Sequence, residues 1–192
     1  MGWKPPEKFS VKALDGQTDL YGLLFKPTNF NASKKYPIVE TVYPGPWTIV
    51  TAKSFPVDMA WVNKIFWRAQ AVAELGFIVI TLDGPGTPFR SKAFHDASYG
   101  RLGDAGGLTD HIKAIKELSE DRPYMDLDRV GMFGHSAGGF MTAQALLNYP
   151  DFYTVGVASA GDYDSRFYGA FWGEKYEGLN ASDYAEQITS LK

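Results

Sequence analysis

The sequence predicts an α/β domain, a mostly parallel sheet with helices on both faces. Three observations carry that expectation. Short β-branched runs at residues 37–43, 77–82, 130–133 and 153–158 alternate with stretches whose apolar residues follow a helical period. The run at 77–82 is apolar almost throughout rather than at every second residue, as in strands covered on both faces. The 192 residues, 45% apolar and 15% aromatic, supply one sizeable core without help from a disulfide or a metal.

The elements follow in order. Phe9, Val11 and Ala13 alternate with Ser10, Lys12 and Leu14 up to Asp15-Gly16, a turn signal, and a second run at 20–26 stops at Pro27. These two strands are expected to form an antiparallel edge. Residues 29–35 are polar loop. The run at 37–43 ends at Pro44-Gly45-Pro46, so a buried strand feeds a rigid turn. Trp61, Ile65, Arg68, Ala69, Val72 and Leu75 keep helical spacing, and Gly76 closes that helix. After the strand at 77–82 comes a long Gly-rich connection, 83–107. Leu108, Ile112, Ile115 and Leu118 mark the next helix, and 130–133 the next strand. Residues 137–148 form a helix stopped before Pro150, and 153–158 are the last clear strand. Beyond Gly161 lie an aromatic-rich stretch, 162–178, and a polar one, 180–192, both read as loop and helix. The sheet then has about six strands, with an apolar edge if it is meant to continue. With no repeat or low-complexity tract, residues 1–192 are expected to be one domain.

Composition excludes several functions. A net charge of −3 with scattered signs is not the footprint of a nucleic-acid binder, and no polybasic tail suits a membrane surface. Without cysteine there is no thiol nucleophile, iron–sulfur cluster or Cys-ligated zinc. Three histidines (His95, His111, His135) leave little for a multi-histidine metal site, so neither metal nor cofactor is expected. There is no signal-like N-terminus and no run of ~18 apolar residues. Cytoplasmic and periplasmic or secreted locations both fit. Asn31-Ala32-Ser33 and Asn180-Ala181-Ser182 match a glycosylation pattern common enough to arise by chance.

The chemistry sits at Gly134-His135-Ser136-Ala137-Gly138, followed by Gly139. The bare G-x-S-x-G pattern is weak, with roughly 0.1 matches expected by chance in such a chain. Its setting, where an apolar strand turns directly into a helix, is the one a nucleophile elbow requires. Ser136 would then project at the carboxyl edge of the sheet, with the Ala137 N–H aimed at a developing oxyanion. The same residues also fit a Gly-rich strand–helix turn with an incidental serine. In this arrangement the triad runs Ser, acid, His in chain order, yet no histidine follows Ser136. His135 should diverge from its neighbour, while His95 and His111 lie on the wrong side in chain order and read as structural or solvent-facing. The chain therefore ends before a complete triad, and about two strands early.

The residues resemble the prolyl oligopeptidase superfamily of serine peptidases, nearest its dipeptidyl peptidase IV and acylaminoacyl-peptidase-like branch. The resemblance rests on residues 21–27, the Val42-Tyr43-Pro44-Gly45-Pro46 turn, and Leu82-Asp83-Gly84-Pro85-Gly86. It continues through Phe94-His95-Asp96, Tyr99 to Gly103, Gly134 to Gly139, Tyr168 and Tyr176-Glu177-Gly178. It implies an α/β-hydrolase fold, incomplete here, normally preceded by a β-propeller. Trp3-Lys4-Pro5-Pro6-Glu7 looks like the junction after that propeller. It also implies that the Tyr43 hydroxyl joins the Ala137 N–H in the oxyanion hole. Without the family, Tyr43 fits equally well as a strand-end residue capping a proline turn. Tyr168 and Trp172 would wall the pocket for the residue before the scissile bond, although aromatics there also fit ordinary core. Trp172 stands where a tyrosine is common, and Pro85 where many relatives carry an arginine that anchors the loop.

The expected function is that of a serine-type peptidase, proline-directed and dipeptidyl- or oligopeptidase-like, acting on peptides through an acyl-enzyme on Ser136. The triad Asp and His would lie beyond Lys192, so the isolated chain is expected to be inactive. An esterase-type hydrolase and a non-catalytic hydrolase-fold interaction domain are the alternatives. Expected partners are the peptide substrate, the propeller and the remainder of the catalytic domain. Relatives often dimerise through elements near the domain's end, so a homodimer is open for a longer polypeptide.

Overall fold

The computed structural model describes residues 2–56, 61–104 and 106–178. Strands β1 (Glu7–Lys12) and β2 (Asp19–Phe25) pair antiparallel through the Asp15-Gly16 turn, with Val11 opposite Leu20. The Asp15 carboxylate caps this turn, accepting the N–H groups of Gln17 and Thr18 at 2.8 Å each and the Thr18 hydroxyl at 2.6 Å. Those donors favour the charged form and lower the Asp15 pKa to about 2. A depressed carboxylate contributes stability above its unfolded pKa and loses it as pH falls through the folded one. Between about pH 4 and pH 2 the turn amides of Gln17 and Thr18 are therefore expected to lose protection first. Hydrogen exchange across that range checks this, and a turn equally protected at both ends would refute it.

The sheet continues through β3 (Tyr36–Val42), β4 (Ile78–Asp83), β5 (Met125–His135) and β6 (Val155–Ser159) in the order β1-β2-β4-β3-β5-β6. β2 meets β4 antiparallel, whereas the β3–β4, β3–β5 and β5–β6 pairings are parallel. The antiparallel edge is therefore formed by the two N-terminal strands, as their alternation predicts. Helix α1 (Trp61–Glu74) covers one face, burying Phe66, Ala69 and Ala73 with Leu23, Phe25 and Val79. Helices α3 (Leu108–Ser119) and α4 (Ala137–Asn148) cover the other, burying Ile115, Leu118, Phe140 and Met141 with Ile38, Ile80 and Val130. β4, at the centre, is buried along its whole length. α1 ends as expected, with Gly76 at φ 98° and the Phe77 N–H returning to the Ala73 carbonyl at 3.3 Å.

Two local features differ from the sequence reading, and a third settles an open one. β5 begins five residues before 130, because the pairing with β3 shifts register between Pro37 and Ile38. There the Asp126 carboxylate accepts from the Asp128 N–H at 3.2 Å and the Arg129 Nε at 2.8 Å, folding Leu127, Asp128 and Arg129 outward as a bulge. Inside the Gly-rich connection lies a short helix, α2 (Lys92–Asp96), capped by the Ser91 hydroxyl on the Phe94 N–H at 3.2 Å. Five residues are too few for a helical period to show in sequence. Of the two readings left open for His111, structural or solvent-facing, the structure takes the first. The histidine is 2% exposed, with Nδ1 2.6 Å from Glu40 Oε1, and the other Glu40 oxygen accepts the Tyr153 hydroxyl at 2.9 Å.

β6 forms the far edge of the described sheet. Gly156 lies against Thr142 and Leu146 of α4, while on the opposite face Val155 and Val157 are 63% and 55% exposed. The tract 162–178 holds a short 3₁₀ turn (Ser165–Phe167) and helix α5 (Ala170–Tyr176). The polar stretch 180–192 lies outside the described residues. Among the described residues no helix is long and apolar enough to cross a membrane.

Candidate active site

The site is built where β5 ends and α4 begins, with Ser136 the single residue between them. Its backbone has φ 59° and ψ −122°, a conformation that a residue with a Cβ adopts only when its surroundings impose it. The Ser136 N–H donates to the Ser159 carbonyl at 2.8 Å, and the Ser136 carbonyl accepts from the Phe140 N–H at 3.0 Å. The flanking glycines are required by close approach. A Cβ on Gly134 would lie 2.1 Å from the Gly138 oxygen, and one on Gly138 2.2 Å from the Val42 oxygen. Any side chain at either position would push α4 off the strand ends and relax the turn. The elbow expected from the sequence is thus present in its full geometry.

Tyr43 follows β3 directly, and its hydroxyl lies near Ser136, which lines the same cavity. The ring is 7% exposed and packed edge-on against Trp61 at 5.5 Å and tilted against Trp47 at 5.8 Å. Burial raises the phenol pKa above its ordinary value, against the opposing effect of the Ser136 hydroxyl. The group is therefore a protonated donor throughout the neutral range. Ala137 opens α4, and the amides of a helix's first turn have no acceptor inside the helix. Two potential donors, a phenol and a helix-terminal amide, thus lie near the serine.

A cavity of about 380 Å³ opens over these groups. Tyr43, Trp47 and Trp61, packed on one another, line it together with Tyr168, Phe171 and Trp172. Tyr168 is 52% exposed and Trp172 half-buried, their rings edge-on at 6.3 Å. Tyr168 is a cavity wall, not core. A second depression, on the other side of Tyr168, is lined by Ser136, Asp162, Tyr163 and Phe167. Sequence reasoning missed Trp47 and Trp61. Trp61 reads only as a helical core position, and Trp47 carries one weak signal, its place just after the proline turn.

None of the three histidines hydrogen-bonds Ser136. His135 Nδ1 lies 3.1 Å from the Ser159 hydroxyl, and His95 Nε2 lies 3.1 Å from the Pro46 carbonyl. His111 is held by Glu40. The turn after β4, which contains Pro85, is closed by two bonds. The Thr87 hydroxyl donates to the Gly84 carbonyl at 2.9 Å, and the Gly86 N–H to the Phe94 carbonyl at 2.8 Å.

Known proteins resemble this chain in sequence and in fold. Mouse dipeptidyl peptidase 8 is 32% identical over 176 residues, covering 92% of this chain and 19% of its own length. Dipeptidyl peptidase 4 of Trichophyton equinum is 34% identical over 183 residues, covering 93% of this chain and 22% of its own length. A crystal structure assigned as a dipeptidyl aminopeptidase IV from Bacteroides ovatus superposes with a TM-score of 0.82 at 35% identity. That match covers 99% of this chain and 27% of the other. The chain thus spans about a fifth of the length of these curated relatives. The fold is accordingly that of an α/β hydrolase, present in part. The family model described as prolyl oligopeptidase matches residues 63–191, elbow and aromatic wall included, and the chain belongs to that family.

Proposed function

We propose that the chain is the nucleophile-bearing part of a serine peptidase catalytic domain, with Ser136 attacking a peptide carbonyl to form an acyl-enzyme. The observation that carries this reading is the strained Ser136 backbone at the head of α4, facing an aromatic cavity beside Tyr43. The Tyr43 hydroxyl and the Ala137 N–H hold the oxyanion as the carbonyl carbon becomes tetrahedral. Tyr168 and Trp172 offer flat apolar faces to the side chain preceding the scissile bond, a surface on which a proline ring packs well. The names of the relatives favour release of dipeptides from a peptide's amino end.

A serine needs a base, and the three histidines are engaged elsewhere. The acid and base are therefore assigned to residues beyond Lys192, supplied by further strands that pair with β6. The exposed valines of β6 accord with a sheet that continues. This assignment makes a sharp expectation. The 192-residue chain alone should show no peptidase activity above the small residue an oxyanion hole provides without its base, whereas a polypeptide extended past Lys192 should cleave Gly-Pro or Ala-Pro chromogenic substrates. Full-rate cleavage by the short chain, abolished by Ser136→Ala, would remove the assignment. On the extended polypeptide, a preference for p-nitrophenyl acetate over proline-containing peptides would favour an esterase instead.

A further inference from the structure

We infer that Asp83 is a positioning residue for the oxyanion site, its buried carboxylate holding the loop after Tyr43 and, through that loop, Tyr43 beside Ser136. The inference rests on the reading of Tyr43 as an oxyanion donor. Asp83 is the last residue of β4 and is 8% exposed. Its two oxygens accept the N–H groups of Val50 at 2.6 Å and Thr51 at 3.1 Å. The stretch from Tyr43 to Ala52 forms neither helix nor strand, so its buried amides need acceptors from outside. Asp83 supplies two of them. The Thr51 hydroxyl adds a tie to β2 by donating to the Tyr21 carbonyl at 3.1 Å.

What the carboxylate fixes is close to the chemistry. Val50, 1% exposed, shares a small buried cluster with Tyr43 and Ile65, and Trp61 and Ala137 pack against that cluster. The path from Asp83 to the oxyanion site therefore has three links: carboxylate to Val50 backbone, Val50 side chain to cluster, cluster to the Tyr43 ring. Both proposed oxyanion donors, Tyr43 and Ala137, belong to this one packing unit. Burial pushes the Asp83 carboxyl above its ordinary value, and the loop amides of Val50 and Thr51 and the nearby His111 offset that only in part. That balance describes an acceptor kept in a dry place by the donors it holds.

The test is a double-mutant cycle in the active polypeptide, combining Asp83→Asn with Tyr43→Phe. Asparagine keeps the shape but turns one acceptor into a donor that opposes a loop N–H. Alone it is expected to lower kcat about tenfold or more with KM changed by less than about threefold, the cost of a displaced catalytic group. Exchange of the Val50 and Thr51 amides should accelerate while that of α4 does not. In the Tyr43→Phe background the same change should lower kcat less than about twofold, because the group it positions is already gone. An equal loss in both backgrounds, or no loss in either, overturns the inference while leaving Tyr43 in its role. No loss from Tyr43→Phe itself overturns the oxyanion reading and the inference with it. Where Asp83→Asn does not fold, Val50→Ala, which thins the cluster but leaves the carboxylate in place, runs through the same cycle. Additivity there overturns the inference equally.

Discussion

Replacing Ser136 with alanine in a longer polypeptide that carries the proposed acid and base is expected to lower kcat by about 10⁶-fold, with KM nearly unchanged. The expectation follows from the site's economy of parts. Ser136 faces the cavity from the elbow, at the head of α4 and near Tyr43, whereas the hydroxyl of Ser98, which also lines the cavity, donates to the Gly86 and His95 carbonyls. Activity left after its removal comes from the oxyanion donors and substrate binding alone, which supply only a few of those orders of magnitude. Structure is not expected to confound the result. The positive φ is imposed by the Ser159 carbonyl and by the tight approach of Gly134 and Gly138, neither of which involves the hydroxyl. Steady-state kinetics on a proline-containing peptide, with a fluorophosphonate label that marks the parent and not the variant, measures the effect. A variant retaining more than about a hundredth of the parent rate would make Ser136 incidental and revive the non-catalytic reading.

The second large effect is expected from Tyr43→Phe, a loss in kcat of about 10²–10³-fold with little change in KM. The substitution removes one oxygen and keeps the ring that packs against Trp47 and Trp61 and belongs to the cluster with Val50 and Ile65. The lost bond forms only as the carbonyl oxygen gains charge, so the cost falls on the transition state rather than on substrate binding. Because burial raises the phenol pKa, Tyr43 stays a donor at every pH below about 10 and should add no alkaline limb in that range. Kinetics across pH 6 to 10 checks both points. A loss smaller than about threefold would leave Tyr43 as a structural residue capping the proline turn.

Much of the fold was legible beforehand because it follows from local rules. A buried strand such as 78–83 is apolar but for Thr81 and Asp83, and Gly76 closes α1 because only glycine enters that conformation freely. The elbow was legible for the same reason. Gly134 and Gly138 are demanded by contacts of 2.1 and 2.2 Å, so steric necessity left them in the sequence beside Ser136. Other features left no local trace. The β5 bulge depends on Asp126 turning back to its own chain, and α2 is too short to show a period. Glu40 and His111 pair across 71 positions, and no pattern within either segment announces it.

By itself, the sequence determined the class of the fold, the antiparallel edge, the nucleophile candidate and the lack of a histidine downstream of it. Each of these depends on residue identity or short-range order, which the chain displays directly. Only the tertiary structure decided that Tyr43 lies near Ser136, that Trp47 and Trp61 line one cavity with Tyr168 and Trp172, and that Asp83 holds Val50 and Thr51. Those relations join residues far apart in the chain, and they exist because the ends of β3, β4 and β5 meet at one edge of the sheet. Proximity of that kind is a property of packing, where the energy of many weak contacts brings distant segments together, and no single segment carries it.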